Sequence, residues 1–509
     1  MKIKTVVAGI ALSVAVAHPV LAQKSKDTLR AVAQQPIGLI DRYYAGSPAV
    51  TVMTRALFDS IVHYDPVARK FEPLLAKSWT QLGPDTIEFK LREDVKFHDG
   101  EPFDADDVVA LFNFLTDPKS RFANREATYG WIKEAQKIDK YTVRVVATGP
   151  LAPLMARLNF PIYPEHLHAK DPKNFGQTPV GTGFYKATSV DRNTGLTMVR
   201  NDSYNMATPT RPMPKIGKVE FAQPMDIQTQ VARMMRGEQD IMTQVESDQA
   251  NDLGANPNFK VTVEETIGFS LLIMDVSARS GLAPLKDVRV RRAIAHGIDR
   301  RGIQNALLPK AAENIPLPGG MCHKWVTGCD YSTALPEYNL EKAKQLLAEA
   351  GYPNGFELRV TTWGPNKQLG ELVGGQLHKI GIKASTEHLI YTVYQQKQRN
   401  GELNIAASWW DNGSTSDVES TSAWWYSADR GPNDYVRDPE LYAMHEKGRT
   451  IMDPAERQAH YKVLFNKVNE QIYQLPMISV PAVTVHQKDL VVHTGYKEPL
   501  IFNYLEWAK

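Results

Sequence analysis

Four tryptophans and one aspartate lie close together near residue 410 and could bind a small molecule there. The segment contains Trp409-Trp410-Asp411 and then Trp424-Trp425, so it holds four of the nine tryptophans in the chain. The face of an indole ring attracts a cation, and a neighbouring carboxylate can neutralise one. Tryptophans on a strand are also common in hydrophobic cores, because each ring buries a large apolar area. The cluster therefore predicts either a site for an amine-bearing ligand or plain core packing.

Histidines elsewhere suggest two further sites, each with a simpler alternative. His166 and His168 lie two residues apart and would share one face of a strand, where they could hold a metal. Further ligands are not evident nearby, so a polar loop is the preferred interpretation. His98-Asp99 has the composition of a catalytic pair, but Asp99-Gly100 is more simply a turn. The histidines therefore predict neither a metal site nor a catalytic step.

The sequence lacks the local signatures of the common catalytic sites. It contains no Gly-x-Ser-x-Gly elbow, no Ser-x-x-Lys pair and no His-Glu-x-x-His helix. Gly181-Thr182-Gly183 is not followed by the lysine of a phosphate-binding loop. The joint absence of these motifs favours binding over catalysis, and neither a catalytic residue nor a cofactor is expected.

The first 22 residues predict an exported protein. Lys2 and Lys4 precede an uncharged stretch from Thr5 to Val16. Val20-Leu21-Ala22 then offers the small residues that a signal peptidase reads, so cleavage after Ala22 is expected. The apolar run is shorter than the roughly 20 residues of a membrane-spanning helix, and no cysteine for lipid attachment lies near the cleavage site. We expect a mature protein that is free in the periplasm.

The charge balance argues against highly charged partners. The 59 lysines and arginines exceed the 57 acidic residues only by the two lysines of the leader. A neutral mature chain has no electrostatic reason to bind nucleic acid or an anionic membrane. The whole chain of 509 residues is too long for one hydrophobic core and predicts two or three domains.

The only two cysteines, Cys322 and Cys329, lie seven residues apart in a stretch rich in glycine and proline. In an oxidising compartment this spacing favours one local disulfide that pins a loop. A metal pair assisted by His323, or two free thiols, are the alternatives. A disulfide that closes such a short loop would stabilise the whole fold only modestly.

Strands alternate with amphipathic helices along the chain. Residues that cap helix N-termini well precede four apolar helical stripes, at Asp104, Asp287, Asn339 and Asp453. Residues 356–390 have the order strand, helix, strand, which implies a right-handed crossover and some parallel sheet. The basic run from 289 to 301 is expected to be a solvated helix face or, alternatively, a docking patch. The pattern predicts a mixed α/β fold without a long linker, so its lobes should be interwoven.

Five segments resemble the sequence blocks of one protein family and occur in the same order. They are Phe97-His98-Asp99-Gly100-Glu101-Pro102-Phe103-Asp104, Pro179-Val180-Gly181-Thr182-Gly183-Phe184-Tyr185, Asn201-x-x-Tyr204, the basic helix from Asp287 to Arg300, and the helix from Glu341 to Gly351. With these blocks the chain resembles the family 5 extracellular solute-binding proteins, which serve dipeptide, oligopeptide and nickel importers. The likeness runs from about residue 28 to the C-terminus.

This resemblance implies the two-lobed periplasmic-binding-protein fold of type II, in its large variant with an extra subdomain on the first lobe. Solute would bind between the lobes, and the closed form would dock on the permease subunits of an ABC importer in the inner membrane. The implied division is a signal peptide at 1–22, lobe I at 23–47, 184–277 and 481–509, the extra subdomain at 48–183, and lobe II at 278–480. A monomer is expected.

The resemblance also implies roles for the candidate site residues. In peptide-binding relatives an aspartate after a tryptophan-bearing strand holds the free amino group of the ligand, and Asp411 stands at the matching place. Gly46 and Ser47 match the first-lobe turn that faces the cleft. The further pocket residues implied in this way are Trp409, Trp410, Trp363, Tyr391 and Trp131.

One departure from the family bears on the ligand. Dipeptide binders carry an arginine for the ligand carboxylate after the strand that ends here at Trp363, but this chain has Gly364-Pro365-Asn366-Lys367. A lysine cannot replace a bidentate guanidinium without loss. A longer peptide or another amine-bearing solute therefore fits as well as a dipeptide. A metal chelate, an opine-like compound or another small cationic compound is the alternative, and an exported peptide or cell-wall hydrolase is a further hypothesis.

Overall fold

A computed structural model describes most of the chain after the predicted leader. It describes residues 27–33, 36–44, 48–65, 68–120, 122, 125–243, 245–411, 417–428, 434–493 and 502–508. The predicted signal peptide, Gly46 and Ser47 lie outside these residues. Within the described ranges, no helix has both the length and the hydropathy needed to cross a bilayer.

Strands and helices alternate along the described residues, which confirms the predicted mixed α/β class. The strands are β1 Thr28–Val32, β2 Val62–Asp65, β3 Lys70–Pro73, β4 Ala76–Gly83, β5 Thr86–Leu91, β6 Ile132–Asp139, β7 Thr142–Ala147, β8 Tyr185–Asp191, β9 Gly195–Arg200, β10 Lys218–Ala222, β11 Ile241–Thr243, β12 Phe259–Glu264, β13 Phe269–Met274, β14 Glu357–Trp363, β15 Lys383–Leu389, β16 Ile405–Trp410, β17 Gln474–Ser479, β18 Ala482–Gln487, β19 Leu490–Val492 and β20 Leu505–Trp507. The α-helices are α1 Pro48–Leu57, α2 Ala105–Thr116, α3 Arg125–Tyr129, α4 Glu165–His168, α5 Ile227–Met235, α6 Ser247–Gly254, α7 Val288–Gly297, α8 Arg300–Leu307, α9 Leu340–Glu349, α10 Lys367–Lys379, α11 Tyr391–Asn400, α12 Glu419–Trp425, α13 Pro439–Thr450 and α14 Pro454–Gln471.

Two large mixed sheets form the frame of the molecule. The seven-stranded sheet has the order β12-β18-β11-β1-β10-β9-β8, in which β1 runs parallel to both of its neighbours. The five-stranded sheet has the order β15-β14-β16-β13-β17, in which β14 is parallel to β15 and β16. A four-stranded antiparallel sheet, β4-β5-β7-β6, and the two antiparallel pairs β2-β3 and β19-β20 contain the remaining strands of the described residues.

Separate hydrophobic cores divide the described residues into two lobes. One core joins the seven-stranded and four-stranded sheets and includes Leu29, Phe89 and Phe221. Another core surrounds the five-stranded sheet and includes residues from Phe269 to Ile478. We call the described residues up to Glu264 and from Ala482 onward the first lobe, and those from Phe269 to Ser479 the second lobe.

The chain passes between the two lobes twice, as expected for interwoven lobes. The crossings lie between β12 and β13 and between β17 and β18, because these consecutive strands belong to different large sheets. The boundary that the resemblance implied at residue 277 places β13 in the first lobe. In the structure β13 pairs with β16 and β17 along its length, so the first crossing lies before β13.

The predicted helix starts follow from side-chain caps. The carboxylate of Asp104 accepts a hydrogen bond from the backbone N–H of Asp106 and forms a capping box with Asp107 at the start of α2. Asp287, Asn339 and Asp453 cap α7, α9 and α14 in the same manner. Each cap satisfies a backbone N–H that has no partner within its own helix. The predicted strand-helix-strand unit is β14, α10 and β15, with its two strands parallel.

Two of the sequence blocks meet in the first lobe, where His98 binds the Gly181-Thr182-Gly183 turn. The Nδ1 atom of His98 accepts a hydrogen bond from Gly181 N at 3.2 Å, and its Nε2 atom lies 3.1 Å from Gly183 O. Burial lowers the pKa of His98 to about 4, which keeps the ring neutral at pH 7. A Cβ atom on Gly181 would lie 2.0 Å from Leu57 O. The two blocks therefore form one packed structural contact.

The basic run from 289 to 301 is not a fully solvated helix face, in contrast to the prediction. Arg291 is only 3% exposed and donates to the carbonyl oxygens of Leu285, Lys286 and Gln471. Arg300 donates to the carbonyl oxygens of Pro318 and Pro476, and burial lowers its pKa to about 10. These guanidinium groups bind a helix end, a loop and strand β17 within the second lobe.

Candidate functional site

The carboxyl ends of three parallel strands meet at one edge of the five-stranded sheet. These ends are Trp363 of β14, Leu389 of β15 and Trp410 of β16. In β13, Phe269 lies opposite both Trp410 and Ser479, so the chain crosses to the first lobe at the same edge. Ligands of open α/β sheets bind outside the carboxyl ends of parallel strands. This edge is therefore the candidate site.

Trp409 and Trp410 point to opposite faces of the sheet, because successive side chains of a strand alternate. Trp409 is 39% exposed. Trp410 is 7% exposed, and its Nε1 atom donates to Thr421 Oγ1 at 3.0 Å. The ring centroid of Trp410 lies 5.6 Å from that of Trp424, which is itself 44% exposed. Trp410 therefore packs in the core, whereas Trp409 and Trp424 offer ring surface to solvent.

Asp411 is the first residue after β16 and is half-buried. It stands where the parallel strands end, two residues after Trp409 in the chain. The five residues that follow it, 412–416, lie outside the described part of the chain. A carboxylate at this place can accept a charge-assisted hydrogen bond from an ammonium group.

A second aromatic group lies at the carboxyl end of the neighbouring strand β14. The ring centroids of Trp363 and Tyr391 are 4.5 Å apart, and Tyr394 packs against Trp363 at 5.7 Å. Tyr391 is 49% exposed and Ile390 is 71% exposed. Because β14 and β16 are adjacent, Trp363 and Tyr391 line the same sheet edge as Asp411.

One residue that was predicted for the site is not part of this grouping, and two others lie outside the described residues. Trp131 precedes β6, is only 8% exposed and packs in the core of the first lobe. Gly46 and Ser47 lie outside the described residues. Their placement in the first-lobe wall of the site therefore stays a prediction.

The segment that replaces the expected arginine folds as a glycine-initiated turn into α10. Gly364 adopts a φ of +55°, a left-handed conformation that favours glycine. Lys367 begins the helix, and its Nζ atom lies 4.0 Å from Glu371 Oε1, one helical turn later. The lysine side chain is 63% exposed. It offers a mobile point charge and not the fixed fork of a guanidinium.

The histidines of the first lobe do not form a metal site. His166 lies on the one-turn helix α4, and its Nε2 atom is 2.7 Å from Asp99 Oδ2. His168 is buried among aromatic rings, and its ring centroid lies 4.7 Å from that of Phe114. A helix turns their side chains apart, so the shared strand face that a metal would need does not exist. Among the described residues, no group of three or more histidine, cysteine or acidic side chains could hold a metal ion.

Cys322 and Cys329 form a disulfide whose Cα atoms are 5.9 Å apart. The loop that it closes contacts other parts of the molecule, and we call residues 322–329 the disulfide loop. Its His323 lies 3.3 Å from Glu265, in the crossing between the lobes. Its Thr327 Oγ1 lies 3.1 Å from Tyr64 OH of the first lobe. The sequence carries no signal for these contacts, since Tyr64 and Thr327 are 263 residues apart.

A buried carboxylate next to the site is held by two arginines. Glu419, at the start of α12, is 2% exposed and forms ion pairs with Arg157 of the first lobe and Arg449 of α13. Burial alone would raise the pKa of Glu419, but the charges of Arg157, His445 and Arg449 hold it below its usual value. Arg157 and Glu419 are 262 residues apart in sequence, and sequence reasoning missed the pair.

The chain matches one family over most of its length. The matching family is described as "Bacterial extracellular solute-binding proteins, family 5 Middle", and the match covers residues 70–432. Among similar proteins, heme-binding protein A of Haemophilus influenzae is 26% identical over 422 residues, which are 75% of this chain and 74% of that protein. The glutathione-binding protein GsiB of Escherichia coli is 25% identical over 505 residues, with coverage of 93% and 92%.

Solved structures share the fold at lower sequence identity. The dipeptide binding protein from Pseudoalteromonas sp. SM9913, in complex with Met-Leu, aligns with a TM-score of 0.75 at 20% identity and covers 94% of this chain and 100% of its own. NikA from Brucella suis, in complex with Fe(III)-EDTA, aligns with a TM-score of 0.81 at 21% identity and covers 94% and 99%. These similarities confirm the predicted two-lobed α/β fold.

Proposed function

Because the chain belongs to the bacterial extracellular solute-binding proteins of family 5, and is therefore a solute-binding protein of an ABC importer, we propose that its solute is a peptide or another compound with a free amino group. The solute would lie between the two lobes at the carboxyl edge of β14, β15 and β16. The closed protein would then deliver it to the permease subunits in the membrane. The relatives are binding proteins, and we propose no catalytic step.

The position of Asp411 carries this proposal. Asp411 follows β16 at the ends of the parallel strands, two residues after the partly exposed Trp409. An ammonium group placed there gains a charge-assisted bond to the carboxylate and contact with an aromatic ring. Trp363 and Tyr391 would contact the apolar part of the same solute.

The carboxyl end of the solute is bound differently from that of a dipeptide in the arginine-bearing relatives. Lys367 provides the only charge in the segment that replaces the arginine, and its ammonium group lies near Glu371. This arrangement favours a longer peptide, whose carboxylate would lie elsewhere. It also favours an amine-bearing compound without a carboxylate at that place, which is the second candidate.

The family and the predicted leader support a proposal about the compartment. Structural relatives include a periplasmic binding protein associated with an ABC transporter, DppA from Helicobacter pylori, in complex with the peptide STSA. We propose that residues 1–22 direct this chain to the periplasm, where it acts as a monomer.

The amine-anchor idea is tested by calorimetry with tri-alanine and N-acetyl-tri-alanine as probes, on the wild-type protein and Asp411→Asn. Asparagine keeps the shape of the side chain and removes its charge. Loss of one hydrogen bond to a charged group, worth about 1.5–3 kcal/mol, should weaken binding of tri-alanine by about 10-fold to 100-fold. The acetylated peptide lacks the ammonium group and should bind both proteins equally weakly.

Equal affinity of wild-type protein and Asp411→Asn for tri-alanine would refute the role of Asp411. Native mass spectrometry of the protein as purified would identify a solute that remains bound. A co-purified compound without a basic nitrogen would contradict the proposed solute class. Asp252→Asn, at an exposed position of α6 outside the candidate site, is a matched control, because it makes the same change of side chain and should leave tri-alanine binding unchanged.

A further inference from the structure

The two lobes are joined by side-chain contacts as well as by the two chain crossings. Arg157 lies in the 3₁₀ turn Leu154–Leu158 of the first lobe and forms an ion pair with Glu419 of the second. Close by, the backbone N–H of Ala152 donates to the carbonyl oxygen of Arg449 at 2.8 Å. Arg449 also lies 3.7 Å from Glu419, so one buried carboxylate faces guanidinium groups from both lobes.

A second set of interlobe contacts involves the disulfide loop. Tyr64 OH of the first lobe lies 3.1 Å from Thr327 Oγ1. Arg69 donates to Lys324 O at 3.2 Å. Because Tyr64 lies on β2 and Arg69 immediately precedes β3, this hairpin reaches across to a loop that the disulfide closes.

The two sets of contacts are continuous within the second lobe. Thr327 pairs with Asp417 in an isolated β-bridge, and Val418 N donates to Thr327 O at 2.9 Å. Asp417 Oδ1 accepts from Glu419 N at 2.8 Å, and Arg457 binds the Asp417 carboxylate through two nitrogens. We call the connected group Tyr64, Thr327, Glu419, Arg157 and Arg449 the clasp.

The clasp is next to the candidate site but does not use its residues. Glu419 begins α12, and the same helix carries Trp424, which packs on Trp410. If the lobes separated, Arg157 and Tyr64 would leave with the first lobe, whereas Glu419, Thr327 and Arg449 would stay together. Each lobe would keep its own core, because the clasp residues do not belong to either core cluster. The contacts of Arg157 and Tyr64 in the clasp therefore join the two lobes, whereas the Glu419–Arg449 pair lies within the second lobe.

We propose that the clasp holds a fraction of the solute-free protein closed and thereby sets solute affinity without contacting the solute. Arg157 is then a positioning residue for binding. The apparent dissociation constant of a solute that requires the closed form is the intrinsic constant divided by the closed fraction. A change in the free energy of the clasp contacts therefore changes the closed fraction and, with it, the apparent affinity for the solute. The effect on affinity rests on the proposed solute binding, whereas the effect on closure does not.

Closure is measured by electron–electron double resonance between spin labels at Ile138→Cys and Val463→Cys. Ile138 lies on β6 of the first lobe and Val463 on α14 of the second, and both are exposed. The natural cysteines are in a disulfide and do not react with the label. In solute-free protein we expect a closed distance population that Arg157→Ala reduces roughly tenfold, because a buried carboxylate loses one of two guanidinium partners. Arg157→Lys should restore part of it.

A matched control and a milder variant complete the experiment. Arg144 forms a more exposed ion pair with Glu88 inside the first lobe at 2.8 Å, so Arg144→Ala removes an arginine–glutamate pair without touching the clasp. Tyr64→Phe removes a single hydroxyl group and should reduce the closed population roughly threefold. It keeps the test valid even if Arg157→Ala does not fold. The thermal unfolding temperatures of Tyr64→Phe and the wild type should agree.

Calorimetry with tri-alanine then distinguishes a failure of the clasp proposal from a failure of the proposed solute class. The proposal expects Arg157→Ala to weaken tri-alanine binding by the same factor as it reduces the closed population. It is overturned if solute-free wild-type protein shows no closed population, or if Arg157→Ala and Arg144→Ala shift the distances equally. If the wild type does not bind tri-alanine at all, the proposed solute class fails, and the solute-free distance measurement still decides the clasp.

Discussion

Replacing His168 with leucine should remove a defined part of the acid sensitivity of the fold. His168 is 3% exposed and lies among the rings of Phe114, Tyr163 and Phe175, at 4.7–5.4 Å between centroids. Its Nε2 atom has no hydrogen-bond partner within the described residues. Burial lowers its pKa from 6.5 to about 4. Leucine has a similar volume and cannot take up a proton.

The sign and size of the effect follow from proton linkage. Because the folded-state pKa is lowered, the unfolded chain binds more protons between pH 6.5 and about 4. The contribution of His168 to stability is therefore complete above pH 6.5 and is lost as the pH falls towards 4. Between about pH 7 and about pH 4.5 the wild type should lose about 2.5 kcal/mol of unfolding free energy through this residue. His168→Leu should be spared that loss.

Urea denaturation at about pH 7 and about pH 4.5 measures the difference. Burial raises the pKa of Asp41 and of Asp107 to about 6, which gives an opposite pH dependence, but both carboxyls are present in the wild type and the variant and cancel. His378→Leu is the control, since His378 is exposed on α10. The reasoning is refuted if wild type and His168→Leu lose the same unfolding free energy on acidification while their m-values agree.

Gly181→Ala should destabilise the first lobe by more than about 3 kcal/mol, because the added methyl would lie 2.0 Å from a backbone carbonyl oxygen. Gly375→Ala on α10 meets no atom within 4 Å and should be neutral or stabilising by up to about 1 kcal/mol; thermal denaturation of both variants checks the contrast. Trp410→Phe should cost about 1–2 kcal/mol through its lost bond to Thr421, whereas Trp409→Phe should cost under about 0.5 kcal/mol, as chemical denaturation would show.

Local features of the fold were predictable from the sequence. Asp104, Asp287, Asn339 and Asp453 cap the predicted helices, because capping depends only on a side chain and the N–H groups two or three residues later. The unit formed by β14, α10 and β15 was predictable for the same reason, since the apolar periodicity and the glycine that ends the helix lie within one short segment. The order of sequence blocks then indicated the family.

The candidate site was only partly predictable. A strand pattern implies that Trp409 and Trp410 face opposite ways, but which ring is buried depends on the helix that covers each face. The structure places Trp410 against α12 and leaves Trp409 partly exposed. Trp131 was also predicted to line the pocket, but its ring belongs to the core of the first lobe. Tryptophan composition alone does not distinguish these situations.

By itself, the sequence determined the leader pattern, the alternation of strands and helices and the placement of a carboxylate after a tryptophan-bearing strand. The tertiary structure decided which charges meet. Arg291 is buried against carbonyl oxygens although its neighbours suggest a solvated helix face. Arg157 reaches Glu419 across 262 residues of chain. Local propensities depend on nearby residues, whereas the burial and pairing of a charge depend on which distant surfaces the fold brings together.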